Sequence, residues 1–116
     1  MNTLFRECAL RPDGYADVPP TTLKDHLAAA EMIDVREPHE YSGELGHIAG
    51  SRLVPLGTLG AALSREDRQR AVVLVCRSGA RSARAARELV AMGFDQVMNL
   101  SGGMLAWNAA GYPIAR

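Results

Sequence analysis

At 116 residues the chain is long enough for one hydrophobic core and too short for two. Apolar residues make up 47% and charged residues 22%, the proportions of a globular protein that buries roughly two-thirds of its unfolded surface. Thirteen Lys and Arg offset thirteen Asp and Glu, so bulk charge draws the chain to neither nucleic acid nor an anionic membrane, and any anion chemistry must come from local placement of charge.

Met1–Leu10 contains Arg6 and Glu7 without an unbroken apolar stretch, unlike a secretory signal, and no segment reaches the apolar length of a membrane span. Both features point to a cytoplasmic protein. Cys8 and Cys76 lie far apart, and no Cys/His spacing suits zinc, so both thiols are expected free and no metal is expected. Gly14–Val18 reads as a short edge strand stopped by Pro19–Pro20. Thr21–Ala30 reads as a helix, with Leu23, Leu27 and Ala30 at three-to-four spacing. Met32–Val35 is a short apolar strand, Pro38–Ser42 a single helical turn, Arg52–Pro55 a further strand and Leu59–Leu63 a short helix.

Ala71–Val75 is continuously apolar and rich in β-branched residues, as a central strand covered on both faces should be. Ser82–Met92 follows as a helix with Ala83, Ala86, Leu89 and Val90 inward and Gly93 as its stop. Gln96–Leu100 is the last strand, and Met104–Ala110 the last helix, closed by Gly111 and Pro113. Strands alternating with helices imply an α/β fold with a mostly parallel sheet, and such sheets carry their chemistry at the carboxyl ends of the strands.

Cys76 stands at that end of the central strand, and Cys76-Arg77-Ser78-Gly79-Ala80-Arg81-Ser82 leads directly into a helix. A helix N-terminus favours negative charge, which here would favour a thiolate. Gly79 permits the turn that aims successive N–H groups inward, and Arg77 and Arg81 bracket the loop with permanent positive charge. This bowl suits a thiolate, and equally a persulfide one sulfur atom larger. Taken singly, Cys76 would pass for a small core hydrophobe and the arginines for a solvated helix face. That plainer reading is accepted for Arg84 and Arg87, whereas the coincidence of strand, thiol, glycine and charge favours chemistry at Cys76, Arg77 and Arg81.

These residues resemble the active loop of the rhodaneses. Ile33–Glu37 and Gly46–Gly50 resemble that family's first signature, and Asn99–Trp107 its second. With Gly111–Ile114 the resemblance runs over residues 15–116, which makes residues 1–14 an N-terminal extension. It implies a three-layer α/β domain with a five-stranded, mostly parallel sheet flanked by helices. It also implies a sulfurtransferase, in which thiosulfate or another sulfane donor sulfurates Cys76 and cyanide or a thiol removes that sulfur. No cofactor is then needed beyond the covalent persulfide, and the partners are a small donor and a thiophilic acceptor, or a sulfur-accepting protein.

In that scheme Arg77, Ser78, Gly79, Ala80, Arg81 and Ser82 hold the donor and the persulfide, while Asp34 and Arg36 support the loop from the neighbouring strand end. His47 is expected to be a hydrogen-bonded structural residue, His26 and His39 are given no role, and Met104 and Trp107 are expected in the core. Gly102-Gly103 is expected to let its helix approach a neighbour closely. Related phosphatases carry a His before the cysteine and five residues between cysteine and arginine. Here Val75 precedes Cys76 and four residues separate it from Arg81, which disfavours phosphate or arsenate chemistry. The intact Cys76 likewise disfavours a purely regulatory binding module.

Overall fold

The computed structural model describes residues 2–116. Six strands, β1 (Ala9–Leu10), β2 (Ala16–Val18), β3 (Glu31–Asp34), β4 (Arg52–Leu53), β5 (Ala71–Val75) and β6 (Gln96–Leu100), form one sheet in the order β1-β2-β6-β5-β3-β4. All neighbouring strands run parallel except β1 and β2. The sheet therefore has six strands where the sequence led to five. The addition is β1, two exposed residues too short to carry any periodicity, which fold back through a turn at Gly14. The segment expected as an edge strand from Gly14 begins instead at Ala16 and lies one place in from the edge.

The helices are α1 (Thr3–Glu7), α2 (Pro20–Leu23), α3 (Pro38–Tyr41), α4 (Leu59–Ala62), α5 (Ala80–Ala91) and α6 (Gly103–Ala109), with a 3₁₀ turn over Leu56–Thr58. Alternate residues of the strands feed two cores. On one face α4 and α5 lay Leu59, Leu63, Ala85, Ala86 and Leu89 over Ile33, Val72, Leu74 and Val97. On the other, α1, α2 and α6 lay Leu4, Phe5, Leu23, Met104 and Trp107 over Val18, Met32, Val73, Val75, Met98 and Leu100. Each such side chain taken from water contributes roughly 1.5–3 kcal/mol. Residues 2–14 join this packing, since Leu4 and Phe5 are buried.

The helix expected over Thr21–Ala30 ends at Leu23. His26 turns back so that Nδ1 lies 2.9 Å from Thr22 O, and the Asn2 carboxamide donates to Ala29 O at 2.6 Å. Leu27 still reaches the core, but from a succession of turns. In α5 the start moves forward from Ser82 to Ala80, because Gly79 at φ +107° supplies the left-handed residue that opens the helix. Its fully buried face is Ser82, Ala85, Ala86 and Leu89, with Ala83 and Val90 packed at the margin. Among the described residues no helix is long and apolar enough to cross a membrane.

Candidate functional site

β5 delivers Cys76 to the carboxyl edge of the sheet, where only 1% of the residue is exposed. The chain then turns through Arg77 and Ser78, both exposed, to Gly79. Gly79 N–H donates to Cys76 Sγ at 3.0 Å, and Ser82 Oγ lies 3.2 Å from the same sulfur. Because α5 begins at Ala80, the N–H groups of its first turn have no acceptor one turn earlier and face the loop. The loop thus encloses its sulfur with backbone dipoles and one hydroxyl. A Cβ on Gly79 would require a left-handed side-chain residue and would sit 3.4 Å from Gly102 N.

The loop is also held from the opposite side. The first turn of α6 donates Met104 N–H to Cys76 O and Leu105 N–H to Arg77 O, each at 2.9 Å. These bonds fix the two peptide planes that open the loop. This close approach depends on Gly103, whose φ is +57° and whose absent Cβ would fall 2.5 Å from Cys76 O and 2.6 Å from Arg77 O. The neighbour that Gly102-Gly103 admits is the cysteine loop itself.

The two loop arginines differ in their surroundings. Arg77 lines an open cavity of about 390 Å³ with Leu45, Leu105 and Glu44 among its walls. Arg81 is gripped by Glu40, Nη1 to Oε1 at 2.7 Å and Nη2 to Oε2 at 2.8 Å. This bidentate guanidinium holds the Glu40 carboxyl at about 2, helped by the Glu37 N–H and opposed by partial burial, and Glu40 in turn raises Arg81 above its ordinary value. One cation of the loop is therefore already neutralised, and among the described residues Arg77 has no salt-bridge partner.

Asp34 and Arg36 form a fully buried pair, with Arg36 Nε to Asp34 Oδ1 at 2.9 Å and Nη2 to Oδ2 at 2.8 Å. Arg36 also donates to Glu40 O at 3.2 Å and Gly46 O at 2.7 Å. The pair braces residues 37–46 and reaches the cysteine loop only at one remove, by fixing the residue that holds Arg81. His47 stacks on Tyr41 at 3.7 Å, with Nδ1 2.9 Å from Tyr41 O, a structural setting. Met104 and Trp107 are buried in the core.

Sequence reasoning passed over three residues of this neighbourhood. Glu40 sits in a capping box with Glu37, a spacing that announces a helix start and not a partnership with Arg81. Asn99 lies 6% exposed on β6 and accepts from Ser82 Oγ at 2.5 Å. Its signal was a carboxamide set between Met98 and Leu100 in an interior strand. Asp17 on β2 accepts from Asn99 Nδ2 at 3.4 Å.

Known proteins resemble this chain in sequence and in fold. The family model for the rhodanese-like domain matches residues 19–110. A sulfurtransferase of Allochromatium vinosum is 36% identical over 96 residues, covering 80% of this chain and 88% of that protein. The uncharacterised protein YqhL of Bacillus subtilis is 41% identical over 78 residues, covering 67% of this chain, which spans 60% of YqhL's length. Among solved structures, a rhodanese-related protein of Thermoplasma volcanium superposes with a TM-score of 0.76 at 29% identity, covering 85% of this chain and 96% of that one.

Proposed function

The chain belongs to the rhodanese-like domain family, and from that premise we propose that it transfers sulfane sulfur through a persulfide on Cys76. The observation that carries the reading is the enclosure of Sγ by Gly79 N–H and Ser82 Oγ at the N-terminus of α5. The Gly79 N–H dipole at the N-terminus of α5 favours an anion on sulfur before and after sulfuration.

With thiosulfate as donor, the Cys76 thiolate attacks the outer sulfur. The S–S bond of thiosulfate breaks, sulfite leaves with the bonding pair, and Cys76 carries the persulfide anion. Cyanide or a thiolate then attacks the outer sulfur, takes it as thiocyanate or a new persulfide, and returns the Cys76 thiolate. Arg77, beside the open cavity, receives the oxyanion end of the donor. Arg81, bound to Glu40, contributes a fixed dipole at the loop edge. Ser78 and Ala80 take part through their backbone.

The test is mass spectrometry of the protein after thiosulfate treatment. One added sulfur atom should map to Cys76, and cyanide should remove it with thiocyanate formed. Cys76→Ser should lose both steps, and full thiocyanate formation in that variant would overturn the assignment.

A further inference from the structure

The Ser82 hydroxyl is wholly buried and has three neighbours that can accept a proton: Asn99 Oδ1 at 2.5 Å, Cys76 Sγ at 3.2 Å and Gly79 O at 3.3 Å. A hydroxyl carries one proton, so it donates to one of them and offers lone pairs to the rest. The shortest contact decides the direction, and the proton goes to Asn99. Asn99 is not free to turn its carboxamide around. Its Nδ2 faces Asp17 Oδ1 at 3.4 Å, a carboxylate that can only accept, and Asp17 is itself tied to Arg11 at 3.1 Å. Turning the amide would set two acceptor oxygens against each other at Asp17, whereas the Ser82 hydroxyl could accept from the turned Nδ2, so it is Asp17 that fixes the orientation.

We infer that Asn99, oriented by Asp17, is a positioning residue that turns the Ser82 hydroxyl proton away from Cys76 and so restrains the reactivity of the sulfur. In this state Ser82 presents a lone pair to Sγ, while Gly79 N–H donates to the sulfur. When the sulfur becomes an anion, Ser82 serves it only by releasing Asn99. While Asn99 holds its proton, the hydroxyl lends the sulfur no donor, and Gly79 N–H is the backbone donor that reaches Sγ. The inference rests on Cys76 being the reactive thiol, and it adds a control that reaches the site through β6 and β2, the side away from Arg77 and the cavity.

The test is the rate of Cys76 alkylation by iodoacetamide in the folded protein, in a Cys8→Ser background so that one thiol reports. Asn99→Leu keeps the branched shape, adds some bulk and removes the acceptor. Its freed Ser82 hydroxyl should donate to sulfur and speed alkylation at neutral pH roughly three- to tenfold. Asp17→Asn, a milder change near the surface, lets the Asn99 amide take either orientation and should give an intermediate rate. The gain should vanish in Ser82→Ala/Asn99→Leu. A gain that survives without Ser82 would mean that the substitution only loosened the packing around Cys76, and it would overturn the inference. Alkylation at the wild-type rate in both Asn99→Leu and Asp17→Asn would also overturn it. These arms do not depend on sulfur uptake. Normal persulfide formation with no effect on alkylation defeats this inference alone, whereas failure of thiosulfate to sulfurate the wild type defeats the proposed function alone.

Discussion

Strands β3 and β5 lie side by side with Asp34 opposite Val75, and each releases the chain into a loop at the same edge of the sheet. The two loops are held by different physics. After β3, a buried Arg36 guanidinium grips Asp34 and two backbone carbonyls, a permanent charge pair locked inside the fold. After β5, the loop holds Cys76 with an N–H, a hydroxyl and the bonds of α6 to two carbonyls. A scaffold can keep a fixed ion pair because its charge never changes. A loop whose central atom alternates between thiol, thiolate and persulfide, as we propose for Cys76, is better served by dipoles, which stabilise an anion and leave no uncompensated charge when it is gone. The contrast suggests where each loop is vulnerable.

The largest effect should come from the scaffold side. Arg36→Met leaves Asp34 buried with no cation and should destabilise the fold by about 3–5 kcal/mol in urea unfolding. Replacing both partners, as Asp34→Leu with Arg36→Met, should regain part of that loss. It should not regain all of it, since Glu40 O and Gly46 O still lose their donor. A cost near zero for Arg36→Met would mean that the loop after β3 is held by something other than this pair.

On the cysteine side the sensitive residue carries no side chain. Gly103→Ala would drive a Cβ to 2.5 Å from Cys76 O at a φ of +57°, so the first turn of α6 must retreat from the loop. The stability cost should be about 1–3 kcal/mol. Persulfide formation should fall on the order of a hundredfold, because a shift of roughly 1 Å at the sulfur misdirects its donors. Gly102→Ala sharpens the comparison. Its Cβ would meet Ala106 within α6 at 2.6 Å and not the cysteine loop, so it should cost stability while sparing more of the sulfur uptake. Equal uptake by Gly103→Ala and wild type would break the link between α6 and the loop.

What could be read from sequence follows the same division. The cysteine loop is contiguous, and strand, thiol, glycine and helix succeed one another within a few residues, so local rules reach it. Gly102-Gly103 was legible as a close approach, although not as an approach to Cys76. The scaffold loop was legible only in part: Asp34 and Arg36 were read as supports of the cysteine loop, but they pair with each other, and the carbonyls that Arg36 also grips lie at Glu40 and Gly46. Glu40 and Arg81 meet across 41 positions, and no periodicity connects them. Asn99 left a trace that helical and strand patterns discard, a polar residue at a buried position of β6. The early end of α2 and the added strand β1 escaped for a related reason. Both are decided by a few particular hydrogen bonds, not by the hydrophobic spacing of their own residues.

The smallest effect should appear where the two loops touch, at Glu40 and Arg81. Arg81 is more than a third exposed along its side chain, so solvent screens the pair and its contribution should be about 1 kcal/mol. The sign of its pH dependence follows from the direction of the shift. Glu40 is lowered from 4.5 to about 2 in the folded protein, so the stabilisation is fully present above the ordinary carboxylate value and is lost as pH falls toward about 2. Glu40→Gln removes the titrating charge and keeps the shape. Unfolding free energies of the two proteins should differ near neutrality, with wild type the more stable, and converge as acid protonates Glu40. A difference that persists undiminished in acid would place the stabilisation in packing or in the capping box. The same variant leaves Arg81 without its counter-charge beside Arg77, so the KM for a dianionic donor such as thiosulfate should fall even as the fold weakens. If KM is unchanged, Arg81 belongs to the scaffold with Arg36, and Arg77 alone supplies positive charge to the donor.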